Sequence, residues 1–87
     1  MDLGERIKNL LHNGYSVTFS PYLKELYGDK NFKIVLRKDG FNVSKRYDYD
    51  LSLSECPDFV LDIKLKATEE IFEAKEKHER DHNENSL

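Results

Sequence analysis

The spacing of apolar residues changes along the chain, and each change marks a new element. Leu3, Ile7, Leu10 and Leu11 fall at i, i+4, i+7 and i+8, one stripe of an amphipathic helix. Asp2 precedes that stripe as an N-cap, and "HNG" ends it, with Gly14 suited to a left-handed position after the last turn. The period then switches from 3.6 to 2. In "YSVTFS", Tyr15, Val17 and Phe19 alternate with Ser16, Thr18 and Ser20, which predicts a half-buried strand stopped or bent at Pro21. "PYLKELYGDKN" has no clean period. Its Tyr22, Leu23, Leu26 and Tyr27 predict a short helical turn or an irregular excursion that packs on the domain.

The clearest pattern is "FKIVLRKDGFNVSKRYDYDLSLS". Asp39-Gly40 predicts a two-residue hairpin turn of type I′, because both central residues must accept positive φ. Pairing Lys38 with Phe41 sets Leu36 opposite Val43, Ile34 opposite Lys45 and Phe32 opposite Tyr47. Phe32, Ile34 and Leu36 then share a face with Phe41, Val43, Tyr47, Tyr49, Leu51 and Leu53, an alternation broken only by Lys45. Fully extended, that second run would reach roughly 40 Å at strand rise, so it is expected to bend or end early. The opposite face carries Lys33, Val35, Arg37, Asn42, Ser44 and Arg46. One face is core and the other wet, as in an antiparallel sheet.

The remainder, from Pro57 onward, reads two ways. Phe59, Leu61, Ile63 and Leu65 alternate with Asp62, Lys64 and Lys66, as in a fourth strand over residues 58–66. A helix over 58 to about 80 fits too, with Phe59, Val60, Ile63, Ala67, Ile71 and Ala74 on its inner stripe. The helix is preferred, because one pattern covers the segment and Asp62–Lys66, Glu73–Lys77 and Glu76–Arg80 become acid-before-base i,i+4 pairs. It leaves Leu61, Leu65 and Phe72 as a second stripe needing cover from the first helix, the aromatic excursion or a partner chain. The expected fold is therefore α+β in the order α-β-β-β-α, a three-stranded antiparallel sheet packed on one face by helices. Residues 1–80 form one domain and 81–87 a frayed polar tail. A homodimer through Leu61, Leu65 and Phe72, or through the long third strand, is the corresponding expectation for self-association.

Composition narrows the class. At 87 residues, with 38% hydrophobic and 36% charged positions, the chain is one small domain whose bulk comes from five Phe and five Tyr. Cys56 has no internal partner and no CxxC companion, which favours a reducing compartment; its expected place is a small semi-buried site before the last helix. No apolar run approaches a membrane span and "MDLGERIKNLL" lacks the apolar stretch of a signal peptide, so a soluble cytoplasmic protein is expected. The net charge of −3 is unevenly spread. Residues 1–47 hold nine Lys/Arg against five Asp/Glu, a net +4; residues 48–87 hold five against twelve, a net −7.

Catalytic chemistry is thin. "HERDH" spells H-E-x-x-H, with His78 and His82 one turn apart and Glu79 as the would-be base. A zinc-protease site also needs a distant third ligand and a cleft, whereas the flanks here are hydrophilic and Glu84 is too near. A solvated helix end is the simpler reading, since His and Arg suit the negative end of the helix dipole. No GxxxxGK[ST], GxGxxG or GxSxG occurs. The expectation is a non-enzyme without metal or cofactor.

Two binding surfaces remain. Asp48, Asp50, Glu69, Glu70, Glu73 and Glu76 give an acidic surface able to occupy a basic groove of a partner protein. Lys33, Arg37 and Arg46, with neighbouring hydroxyls, give the alternative of nucleic-acid binding by the sheet's outer face, against which the net negative charge weighs. The element order resembles the double-stranded-RNA-binding domain. That family starts its last helix with a basic KKxAK-type run where this chain has "CPDFVLD", so its RNA contacts are not carried over. "RIKNLLHNGYSVTFS" followed by "IVLRKDGFNVS" resembles small accessory proteins of phages infecting Gram-positive bacteria, compact anti-CRISPR proteins among them. That resemblance covers about the first half of the chain. It implies an anti-defence protein in the host cytoplasm that blocks a host protein by binding it, through the acidic positions just named.

Overall fold

The structure, a computed structural model, describes residues 2–21, 31–48, 53 and 55–85, with the side chains of Pro21 and of residues 81–85 left undescribed. The elements are α1 (Leu3–His12), β1 (Ser16–Pro21), β2 (Asn31–Lys38), β3 (Phe41–Asp48) and α2 (Asp58–Asn85). The excursion at residues 22–30 and positions Tyr49, Asp50 and Leu51 lie outside the described residues.

α1 starts and stops where its sequence dictates. The Asp2 carboxylate accepts a hydrogen bond from the Glu5 amide at 2.8 Å, satisfying one of the helix's open donors. At the other end Gly14 takes φ +89, its N–H donates to the Leu11 carbonyl, and the Tyr15 N–H donates to that of Leu10. This is a Schellman closure, which turns the chain directly into β1 and stacks Tyr15 near Leu10.

The sheet has order β1-β2-β3, antiparallel throughout. The hairpin takes the expected turn, with φ 53 at Asp39 and 79 at Gly40. Its register pairs Lys38 with Phe41, Leu36 with Val43, Ile34 with Lys45 and Phe32 with Tyr47. β1 adds Val17 opposite Leu36 and Phe19 opposite Ile34. One sheet face thus presents a continuous apolar surface, and both helices cover it. Leu10, Phe32, Ile34, Leu36, Val43, Cys56, Val60, Leu65 and Phe72 make up the buried cluster. Val35, on the other face, is also buried, between Thr18 and Ser44 in the register. No helix among the described residues is long and apolar enough to cross a membrane.

Two readings of the last segment need correction. Residues 58–66 are helical rather than a fourth strand: the Pro57 carbonyl accepts from the amides of Val60 and Leu61, and α2 continues without a break to Asn85. The rotation of that helix also differs from the expected one. Leu65 and Phe72 are completely buried and Leu61 packs against the same core, so these three residues do not form a surface for self-association. Phe59, Ile63 and Ile71, expected inside, face out.

The physical reason is a set of contacts remote in sequence. Phe72 lies edge-on to Tyr15 at 5.1 Å and to Phe41 at 5.4 Å between ring centroids. The Thr68 hydroxyl donates to the Lys64 carbonyl at 2.9 Å, and the Tyr47 hydroxyl in turn donates to Thr68 Oγ1 at 2.7 Å, with the same carbonyl 3.1 Å away. Thr68 is the one buried polar residue among those described, and its hydroxyl is satisfied. These bonds fix which face of α2 meets the sheet.

Candidate functional site

The long helix offers the strongest surface chemistry. On the side of α2 that turns towards α1, carboxylates follow one another at Asp62, Glu69, Glu73 and Glu76, spaced by three, four or seven residues and so aligned. Arg6 of α1 reaches across to this ridge. Its guanidinium makes a close two-pronged pair with Asp62 and stands 4.0 Å from Glu69. The hydrogen bond to Asp62 raises the Arg6 pKa still further, partly opposed by burial. Arg6, Asn9, Leu10 and Asn13 line a small cleft closed on the α2 side by Glu69.

Arg6 neutralises only part of the ridge. Burial, then the neighbouring Glu73, pushes the Glu69 carboxyl above the usual carboxylate range, and Arg6 offsets this only in part. Burial also raises the Tyr15 phenol, with Glu73, Glu69 and Glu76 adding to the shift. Glu73 is exposed, and Glu76 stands 3.9 Å from Arg80 one turn on. The aromatic group behind the ridge is held by two ammonium groups, Lys38 at 4.9 Å over the Tyr15 ring and Lys75 at 5.6 Å over Phe41. The ridge therefore stands on packed core rather than on a loop.

Of the expected acidic set, the structure brings Glu69, Glu73 and Glu76 together. Glu70 is exposed on a different side of α2, turned away from the sheet. Asp48 lies at the other end of β3, seven residues from Phe41, exposed and 3.7 Å from Arg46. It belongs to a separate surface. Asp50 falls outside the described residues. Asp62 and Arg6 are members of the site that periodicity did not single out; their pairing joins two helices 56 residues apart in sequence.

On the outer sheet face Lys33 and Arg46 are direct cross-strand partners, with exposed Arg37 further along β2 opposite Asn42. Like charges set opposite each other cost stability unless something else offsets them. Near the hairpin tip, Arg37, Lys38, Gly14 and Phe41 line an open hollow.

The remaining candidates are quickly placed. His78 and Glu79 are exposed in the last turns of α2, and the His82 side chain is outside the described set. Among the described residues no three His, Cys, Asp or Glu side chains gather as metal ligands would. Cys56 is buried in the core just before α2, and burial raises its thiol pKa, which keeps it protonated and a poor nucleophile. No protein-family model matches this chain, and neither any curated protein nor any solved structure matches it significantly.

Proposed function

We propose that this chain is a non-enzymatic protein-binding module that docks a basic groove of its partner on the acidic ridge of α2. The observation that carries the reading is the row Glu69, Glu73 and Glu76 along one side of a rigid helix, where Glu73 is exposed and adds to the rise that burial gives the Glu69 carboxyl. Arg6 and Arg80 balance part of this charge, at Glu69 and Glu76, and a cationic partner would balance more of it. In its sharpest form the module is an inhibitor encoded by a phage or mobile element, and its target is a host defence or nucleic-acid-handling protein. Such targets present grooves built for phosphates, and a rigid helix with carboxylates about one 5.4 Å turn apart suits that field. Asp48, at the far end of β3, plays no part in this contact.

The second reading, nucleic-acid binding by the outer sheet face, rests on the Lys33–Arg46 cross-strand pair with Arg37 beside it. One experiment separates the two. Immobilised chain, and a Glu73→Lys/Glu76→Lys variant, are exposed to lysate of a Gram-positive bacterium and washed with rising salt. The protein-binding reading expects a defined partner held by the parent chain and lost from the variant by about tenfold or more, roughly 1.4 kcal/mol. Equal recovery on both overturns it. Salt-sensitive retention of nucleic acid that disappears in Lys33→Glu/Arg46→Glu would favour the second reading instead.

A further inference from the structure

The outer side of α2 carries apolar surface that the fold does not use. Phe59 is 67% exposed, Ile63 59% and Ile71 39%. With Ala67 they form an i, i+4, i+8, i+12 row, so they follow one another along a single ridge of the helix. From Phe59 to Ala74 this ridge runs about 22 Å at 1.5 Å per residue. Scattered exposed apolar residues need no explanation, but a continuous row on one rigid element marks a contact surface.

We infer that a second copy of this chain covers the row, with the two α2 helices antiparallel about a two-fold axis at Ala67. The pattern around Ala67 is self-complementary. Ile63 and Ile71 stand four residues on either side, so Ile63 of one copy meets Ile71 of the partner subunit, and the reverse. Ala67 meets the partner's Ala67, and its small side chain lets the helix axes approach closely where they cross. Phe59 lies eight residues before the axis and exposed Ala74 seven after, which sets each bulky ring over the smallest available side chain. Charge agrees with this arrangement. In an antiparallel pair each flank faces the same flank of its partner, and Lys66 and Glu70 share one flank beside the row. Lys66 then stands within about 3 Å, measured along the axis, of the partner's Glu70, forming two symmetric ion pairs. In a parallel pair each flank would face the opposite flank of the partner, and Lys66 would not meet the partner's Glu70.

This inference is independent of the acidic ridge. Neither Glu73 nor Glu76 belongs to the apolar row, and Ile63→Glu/Ile71→Glu leaves both in place, so loss of self-association and loss of the proposed partner come from different substitutions.

Sedimentation equilibrium over a range of micromolar concentrations tests the pairing directly. The expected result is a monomer–dimer equilibrium. Ile63→Glu/Ile71→Glu should weaken it by more than about a hundredfold while helix content, and thermal unfolding at concentrations low enough to keep both chains monomeric, stay unchanged, because both positions are exposed. Lys66→Glu and Glu70→Lys alone should each weaken it by roughly three- to tenfold, and the double exchange should restore it. Ala67→Cys should form an inter-chain disulfide on mild oxidation, since the two β-carbons meet at the axis. A chain that stays monomeric, or a dimer indifferent to the charge exchange, overturns the proposal. If the monomer instead sediments with lipid vesicles through Phe59 and Ile63, the row belongs to a membrane surface. If it does neither, the row is left to a different protein.

Discussion

The inner and outer faces of α2 carry apolar residues at nearly the same helical spacing, yet one is core and the other solvent-exposed. The inner face holds Leu61, Leu65, Thr68 and Phe72; the outer holds Phe59, Ile63, Ala67 and Ile71. By hydrophobicity alone the outer row is the better stripe, since the inner one is interrupted by a threonine. What decides between them lies elsewhere in the chain. Tyr15, just ahead of β1, and Phe41 of β3 supply walls for Phe72, and Tyr47 of β3 a hydrogen-bonding partner for Thr68. A helix with two apolar faces is oriented by what the rest of the fold can complement.

The largest effect should come from cutting matched aromatics on the two faces. Phe72→Ala removes a fully buried ring from between Tyr15 and Phe41 and should cost about 3–5 kcal/mol. That is a large share of the total stability expected for a domain of this size, and the variant should unfold at far lower urea. Phe59→Ala removes the same atoms from solvent and should change the stability by no more than about 0.5 kcal/mol. Comparable losses at the two positions would mean that α2 is rotated from the orientation described. The comparison is best made at low protein concentration, where self-association does not add to the stability.

Next in size is the link between the helices. Arg6→Met removes the pairing of Asp62 and the partial neutralisation of Glu69, both less than a third exposed. A charged hydrogen-bonded pair of this kind contributes about 1.5–3 kcal/mol. Urea unfolding should show a loss of that order, and Arg6→Met/Asp62→Leu should recover part of it because Asp62 is then no longer left as a half-buried carboxylate without its guanidinium. A surface pair would give a loss near zero, and that result would detach α1 from the ridge.

Smaller again is the hydroxyl bridge that sets the helix rotation. Tyr47→Phe and Thr68→Val each remove one hydroxyl and should cost about 1 kcal/mol apiece. Because the two groups touch, the double variant should lose less than the sum of the singles, and that shortfall is the coupling to measure. Strict additivity would remove the bridge as the cause of the inner face's advantage.

These positions also explain what was legible in the chain. The hairpin could be read to the residue because Asp39-Gly40 fixes the turn and the pleat then fixes every pairing. α1 could be read because its cap, stripe and closing glycine are all local. Leu11, counted in that stripe, is in fact 55% exposed, since it lies beyond the edge of the face that meets β1 and α2. The inner face of α2 was not legible. Thr68 scores as polar, and its burial follows from Tyr47, twenty-one residues earlier and on another element. The acidic site was half legible for the same reason. Glutamates one turn apart can be counted, but the pairing of Asp62 with Arg6 needs the two helices side by side, and Asp48 parts company with the ridge only once β3 has a direction.

The smallest effect separates the crowded part of the ridge from the part that Arg6 neutralises. Glu69 has a folded-state pKa above that of an ordinary carboxylate, chiefly from burial and then from Glu73. Between the ordinary value and the raised one, the folded chain holds more protons than the unfolded chain. Stability at this site is therefore fully present at low pH and falls as pH rises through that window. Glu69→Gln carries no such titration, so near neutral pH it should be slightly more stable than the parent, within about 0.5 kcal/mol. The advantage should shrink as pH is lowered through the Glu69 titration and vanish once both side chains are neutral. Paired thermal unfolding curves of the two chains at neutral and acid pH measure the difference. A variant less stable than the parent at neutral pH, by a margin that closes in acid, reverses the sign. It would mean that attraction to Arg6 outweighs the crowding, and that the ridge holds no excess negative charge for a partner to relieve.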